Sequence, residues 1–109
     1  MKSSNLKVWQ DNSTTQFASV LTDIDDAQLM KKFLRDVMTE KEIIEISSRL
    51  EAAKMLRAGV KYTTISDETK LSSRTIARIS EWLKYGCKGY DVALMVINKH
   101  SHIPSASAV

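Results

Sequence analysis

Apolar residues recur along this chain at helical intervals. Phe17, Val20, Leu21 and Ile24 predict a short helix over about 14–22. Asp25 stands where an N-cap would open the next helix, and Leu29, Met30, Phe33, Leu34 and Val37 form one stripe over 26–38. Thr39-Glu40-Lys41-Glu42 has the spacing of a capping box, in which threonine accepts from the Glu42 N–H and Glu42 reaches back. A long helix over 40–58 follows, with Ile43, Ile46, Leu50, Ala53 and Leu56 on its stripe and Gly59 as its left-handed terminator. Residues 63–70 can form one short helix and Leu71 is an isolated apolar anchor. Ser72 or Ser73 can cap a further helix with Ile76, Ile79 and Leu83 inward, ending near Tyr85-Gly86. Val92, Ala93, Val96 and Ile97 predict a last helix over 90–99. Residues 1–12 read as an arm docked through Trp9, and residues 100–109 as a flexible, frayed tail. Strand alternation and internal repeats are absent from the sequence. The expected fold is all-α, with about six helices in a domain spanning 13–99.

Composition narrows this without changing it. The 109 residues suit one domain, and 3 Gly with 1 Pro are too few for a turn-rich sandwich or barrel. A single cysteine, Cys87, cannot form an internal disulfide. The N-terminus lacks the apolar core of a secretory signal, and no apolar run is long enough to span a membrane, so a cytoplasmic protein is expected. The net charge of +3 is unevenly distributed: residues 1–30 hold 2 Lys against 4 Asp, whereas residues 60–109 hold 7 basic against 4 acidic side chains.

The basic part contains the most informative stretch. Tyr62 to Leu83 reads helix, tight turn, helix, the spacing of a helix-turn-helix. Ile65 and Ile76 would pack the two helices together, and Leu71 would plug the gap in the turn. Lys70 stands where many such motifs carry glycine, so a lysine in the left-handed region is expected. The outward face of the second helix then carries Ser73, Arg74, Thr75, Ala77 and Arg78, side chains short or cationic enough to enter a major groove. With Thr63 and Ser72, these are the candidate contacts to double-stranded DNA. Two short helices joined by a turn also occur in all-α proteins that never meet DNA. A helical adaptor that binds protein without specific DNA binding therefore stands as the alternative.

Catalysis finds no support. His100 and His102 lie in the tail without further ligands, Cys87 has no histidine near it in sequence, and no glycine-rich phosphate loop is present. The acidic pairs Asp25/Asp26 and Asp67/Glu68 are read as favourable charge at helix starts. No enzyme, metal or resident cofactor is expected.

Met38-Thr39-Glu40-Lys41-Glu42, the run from Arg49 to Gly59, Thr75-Ile76-Ala77-Arg78 and the run from Leu83 to Tyr90 resemble the Trp repressor family, and within it the Trp-repressor-related proteins of the YerC/YecD type. The resemblance covers roughly 30–100. It implies an intertwined homodimer and a DNA-binding transcriptional regulator, a repressor by family habit. The stripes on 14–38 and 40–58 offer more apolar surface than one thin layer of helices can cover, which suits a second chain. The resemblance also marks Thr39, Arg49 and Arg78 as candidate effector-binding residues, matching family positions that hold L-tryptophan. The family glycine after the recognition-helix arginine is Ile79 here, and the serine that helps bind the amino group is Trp82. Both would fill space an indole needs, so an effector other than free tryptophan is expected, such as a small carboxylate. Each residue also has a plainer role: Thr39 as an N-cap, Arg49 paired with Glu45, Arg78 on phosphate, Trp82 in a core or dimer interface.

Overall fold

The structure, a computed structural model, describes the backbone of residues 7–108 and the side chains of residues 7–100. Its described residues form six helices and no strand: α1 (Asn12–Asp23), α2 (Ala27–Val37), α3 (Glu40–Arg57), α4 (Tyr62–Thr69), α5 (Ser73–Tyr85) and α6 (Gly89–Ala108). A 3-10 turn at Val8–Gln10 precedes them. The chain divides into two compact units, Met1–Ile46 and Ser47–Val109, with the boundary inside α3.

In the first unit, local hydrogen bonds set the helix ends. The Thr15 hydroxyl donates to the Trp9 carbonyl at 2.8 Å and the Thr14 hydroxyl to that of Val8. These bonds, rather than a buried indole, hold the 3-10 turn, because Trp9 is half exposed. The cap of α2 is Asp26, one residue later than the sequence suggested; its carboxylate accepts from the Leu29 N–H at 2.9 Å. At α3 the capping box is complete, with the Glu42 N–H donating to Thr39 Oγ1 at 3.1 Å and the Thr39 N–H to Glu42 Oε1 at 2.9 Å. Phe17 and Phe33 meet with ring centroids 6.2 Å apart. Yet none of the described residues of this unit is buried. Phe17, Leu29 and Val37 are exposed despite lying on the predicted stripes. Ile46, expected inward on α3, is exposed as well.

The second unit has a core. Ala52, Ala53, Ile65, Ile76, Ile79, Leu83 and Leu94 are buried together, with Leu50, Leu56, Leu71 and Tyr90 packed against them. Ile65 and Ile76 are the largest fully buried side chains, and burying each is worth about 1.5–3 kcal/mol. Gly59 ends α3 at φ +80°. A side-chain ion pair joins Arg57 at the end of α3 to Asp91 at the start of α6. Helix α6 begins one residue before the predicted start and runs well past residue 99 to Ala108. Nothing after residue 99 supplies a glycine terminator. The side chains of residues 101–109, including that of His102, lie outside the described residues.

Candidate nucleic-acid interface and adjoining cleft

Helices α4 and α5 are joined by a turn built from the residues the sequence singled out. Lys70 closes α4 at φ 65°, ψ 13°, its N–H donating to the Ser66 carbonyl at 2.8 Å. The chain there needs a left-handed residue to reverse direction, and lysine supplies it at a conformational cost. Three further bonds fix the turn. The Thr69 hydroxyl donates to the Ile65 carbonyl at 2.7 Å, the Leu71 N–H to Thr69 Oγ1 at 3.3 Å, and the Ser66 hydroxyl to the Leu71 carbonyl at 2.7 Å. The Leu71 side chain is half-buried against the core, the plug the spacing predicted.

Ser72, not Ser73, caps α5. Its Oγ accepts from the Thr75 N–H at 3.1 Å and donates to Thr75 Oγ1 at 3.1 Å. With Ile76, Ile79 and Leu83 turned into the core, the opposite face presents Ser73, Arg74, Ala77 and Arg78, all exposed. Thr63 is exposed on the first turn of α4. Ser72 is exposed but its hydroxyl is committed to the cap, and Thr75 is half-buried. The seven residues read as DNA contacts therefore fall into two groups. Thr63, Ser73, Arg74, Ala77 and Arg78 stand free on the surface, while Ser72 and Thr75 form a hydrogen-bonded pair at the start of α5.

Beside this face lies a cleft of about 360 Å³ lined by Arg49, Thr75, Arg78, Ile79, Trp82 and Tyr90. The fold brings Arg49, from α3, to the same opening as Arg78 of α5. Thr39 belongs to the first unit, where its Oγ1 accepts the Glu42 N–H in the cap of α3. Ile79 and Trp82 border the space instead of filling it. Ile79 belongs to the buried core, whereas Trp82 is 49% exposed in the single chain, so of its two expected places, core or dimer interface, the core of this chain is corrected. A Cβ on Gly86 would fall 2.6 Å from the Trp82 carbonyl oxygen and 2.7 Å from Trp82 Cε3, so the close approach there requires glycine. Sequence reasoning missed Thr75 and Tyr90 as cleft residues. Tyr90 sits at the start of a separate helix, and local periodicity carries no signal for its approach to α5.

Among the described residues no group of three or more His, Cys, Asp or Glu side chains could hold a metal ion, and no helix is long and apolar enough to cross a membrane.

The same residues can be set beside known proteins. The family model described as Trp repressor protein matches residues 12–98. The uncharacterized protein YerC of Bacillus subtilis (strain 168) is 40% identical over 78 residues, which cover 72% of this chain and 74% of YerC. A TrpR-like protein from Eubacterium eligens ATCC 27750 superimposes with a TM-score of 0.78 at 32% identity, over 83% of this chain and 93% of that one. A candidate Trp repressor from Staphylococcus aureus gives 0.75 at 28% identity, over 81% and 88%. With its helix-turn-helix and its match from the first helix into the last, the chain belongs to the Trp repressor family of DNA-binding regulators.

Proposed function

We propose that this protein is a sequence-specific transcriptional repressor that acts as a homodimer and reads double-stranded DNA through α5. The observation that carries this reading is the division of α5 into a buried apolar face and an exposed face of Ser73, Arg74, Ala77 and Arg78. Short side chains let the helix approach the base edges, and arginine can meet guanine in two hydrogen bonds or bind phosphate. The dimer is supported by the first unit, where apolar stripes cover α1 and α2 but none of the described residues is buried. A second copy would remove that surface from water. It would also set two recognition helices on successive major grooves, about 34 Å apart. Acting on the chromosome, the protein would work in the cytoplasm. Arg49 and Arg78 at the cleft further support an effector site beside the DNA-reading face.

Selection of bound sites from random double-stranded DNA, with the purified chain at known assembly state, tests this. The expected result is a two-fold-related consensus. Arg74→Ala is expected to abolish the preference with an unchanged melting temperature. Affinity should fall steeply with salt. A chain that enriches no sequence, while capturing protein independently of salt, refutes the repressor and establishes the adaptor reading.

A further inference from the structure

We infer that Glu81 is a specificity-determining residue of the DNA-reading face, its carboxylate accepting from the 4-amino group of a cytosine in the major groove. The inference rests on the DNA-binding reading of α5 and adds a base to it. Glu81 follows Arg74 by seven positions on α5. At about 100° per residue, that interval returns to within about 20° of the same line, and at about 1.5 Å per residue it advances about 10 Å along the helix. Arg74, Arg78 and Glu81 thus form one exposed row, opposite the buried Ile76, Ile79 and Leu83. The Glu81 carboxylate makes no ion pair or hydrogen bond with another described residue. It stays free although Arg78 and Lys84, both exposed, stand three positions before and after it.

A free carboxylate on a face that meets DNA has two fates. Beside a phosphate it repels like charge and weakens the binding of every sequence alike. At a base edge it requires a donor. Its place on α5 favours the base. A helix in the major groove turns the middle of its outer face to the floor, where the base edges lie, and its flanks to the two backbones. Three positions in either direction are about 60° around the helix, so Arg78 and Lys84 flank Glu81 on opposite sides. The cations are therefore placed for phosphates and the carboxylate for the floor. Ala77, one turn earlier, is too short to hold the helix away from it. Guanine and thymine show only acceptors in that groove, whereas cytosine shows its amino group. Adenine sets an amino group beside the N7 acceptor, a pair that suits an amide and not a carboxylate without a proton.

The test is selection of bound sites from random double-stranded DNA by the full chain and by its Glu81→Gln, Glu81→Ala and Arg74→Ala variants. Each protein is then titrated with the parent consensus and its single-base variants. Glutamine and alanine are good helix formers and the position is exposed, so the melting temperature should be nearly unchanged. The parent is expected to select cytosine at one position of each half-site, at least about tenfold over any other base. That position should lie about three base pairs from the one whose preference Arg74→Ala removes. Glu81→Gln should shift it toward adenine, and Glu81→Ala should leave all four bases within about threefold there while the rest of the consensus persists. A parent consensus without that cytosine, a glutamine variant with the parent's preference or an alanine variant that keeps it overturns the inference and leaves the repressor reading standing. So does a uniform gain of affinity for every sequence, the mark of relieved phosphate repulsion. A parent that enriches no sequence refutes the repressor reading, and this inference with it.

Discussion

Lys70 offers a direct measure of what the turn costs. It is held at φ 65°, ψ 13°, where a Cβ approaches the following carbonyl oxygen. That conformation costs an ordinary residue about 1–2 kcal/mol and glycine almost nothing. Glycine also gains freedom in the unfolded chain, which offsets about 0.4–1 kcal/mol. The lysine side chain is exposed and makes no ion pair with a described residue, so its removal should cost the fold little. Lys70→Gly is therefore expected to stabilise by about 0.5–1 kcal/mol, a rise of about 2–8 °C in melting temperature for a domain of this size. Circular dichroism melts at fixed chain concentration measure this; the concentration must be fixed because assembly shifts the midpoint. Lys70→Ala is the control, since it removes the charge but keeps the Cβ and should give no gain. A Lys70→Gly melting point at or below that of the parent, or an alanine variant that matches glycine, would refute the strain argument. If Lys70 also touches a phosphate, both variants should lower the salt slope of DNA binding by about one.

Two further outcomes follow from the packing. Ile76→Ala empties the centre of the α4–α5 contact and should cost about 2–5 kcal/mol in urea denaturation; a loss under about 1 kcal/mol would mean that the pair does not close on this residue. Thr39→Ala should cost about 1 kcal/mol in urea denaturation through the lost cap, and Thr39→Ser should restore it; an alanine variant as stable as the parent would refute the cap's contribution.

The family resemblance has a physical counterpart in the two units. From Ser47 onward the chain buries Ile65, Ile76 and Ile79 by itself, so the α4–α5 pair is positioned without outside help. Up to Ile46 it has caps, helices and a Phe17–Phe33 contact, but none of its described residues is buried. A unit of that kind has formed its local hydrogen bonds and still lacks most of the apolar burial that stabilises tertiary structure. The proposed second copy would supply it.

What the sequence determined by itself was local. The Thr39–Glu42 capping box, the left-handed Lys70, the Gly59 terminator and the inward trio Ile76, Ile79 and Leu83 all depend on residues within a turn or two of each other. Spacing and side-chain chemistry suffice for such features, and the helix-turn-helix is made of them. Tertiary structure decided what depends on distant residues. Arg49 meets the α5 residues across an intervening helix and turn, and Tyr90 joins them from a later helix. Trp82, read as filling a core or a dimer interface, is half exposed in the single chain and lines the cleft, a placement that spacing within one helix does not specify. Ile46, whose spacing argued for burial, stayed exposed because periodicity states which face of a helix is apolar and not whether anything in the same chain covers it.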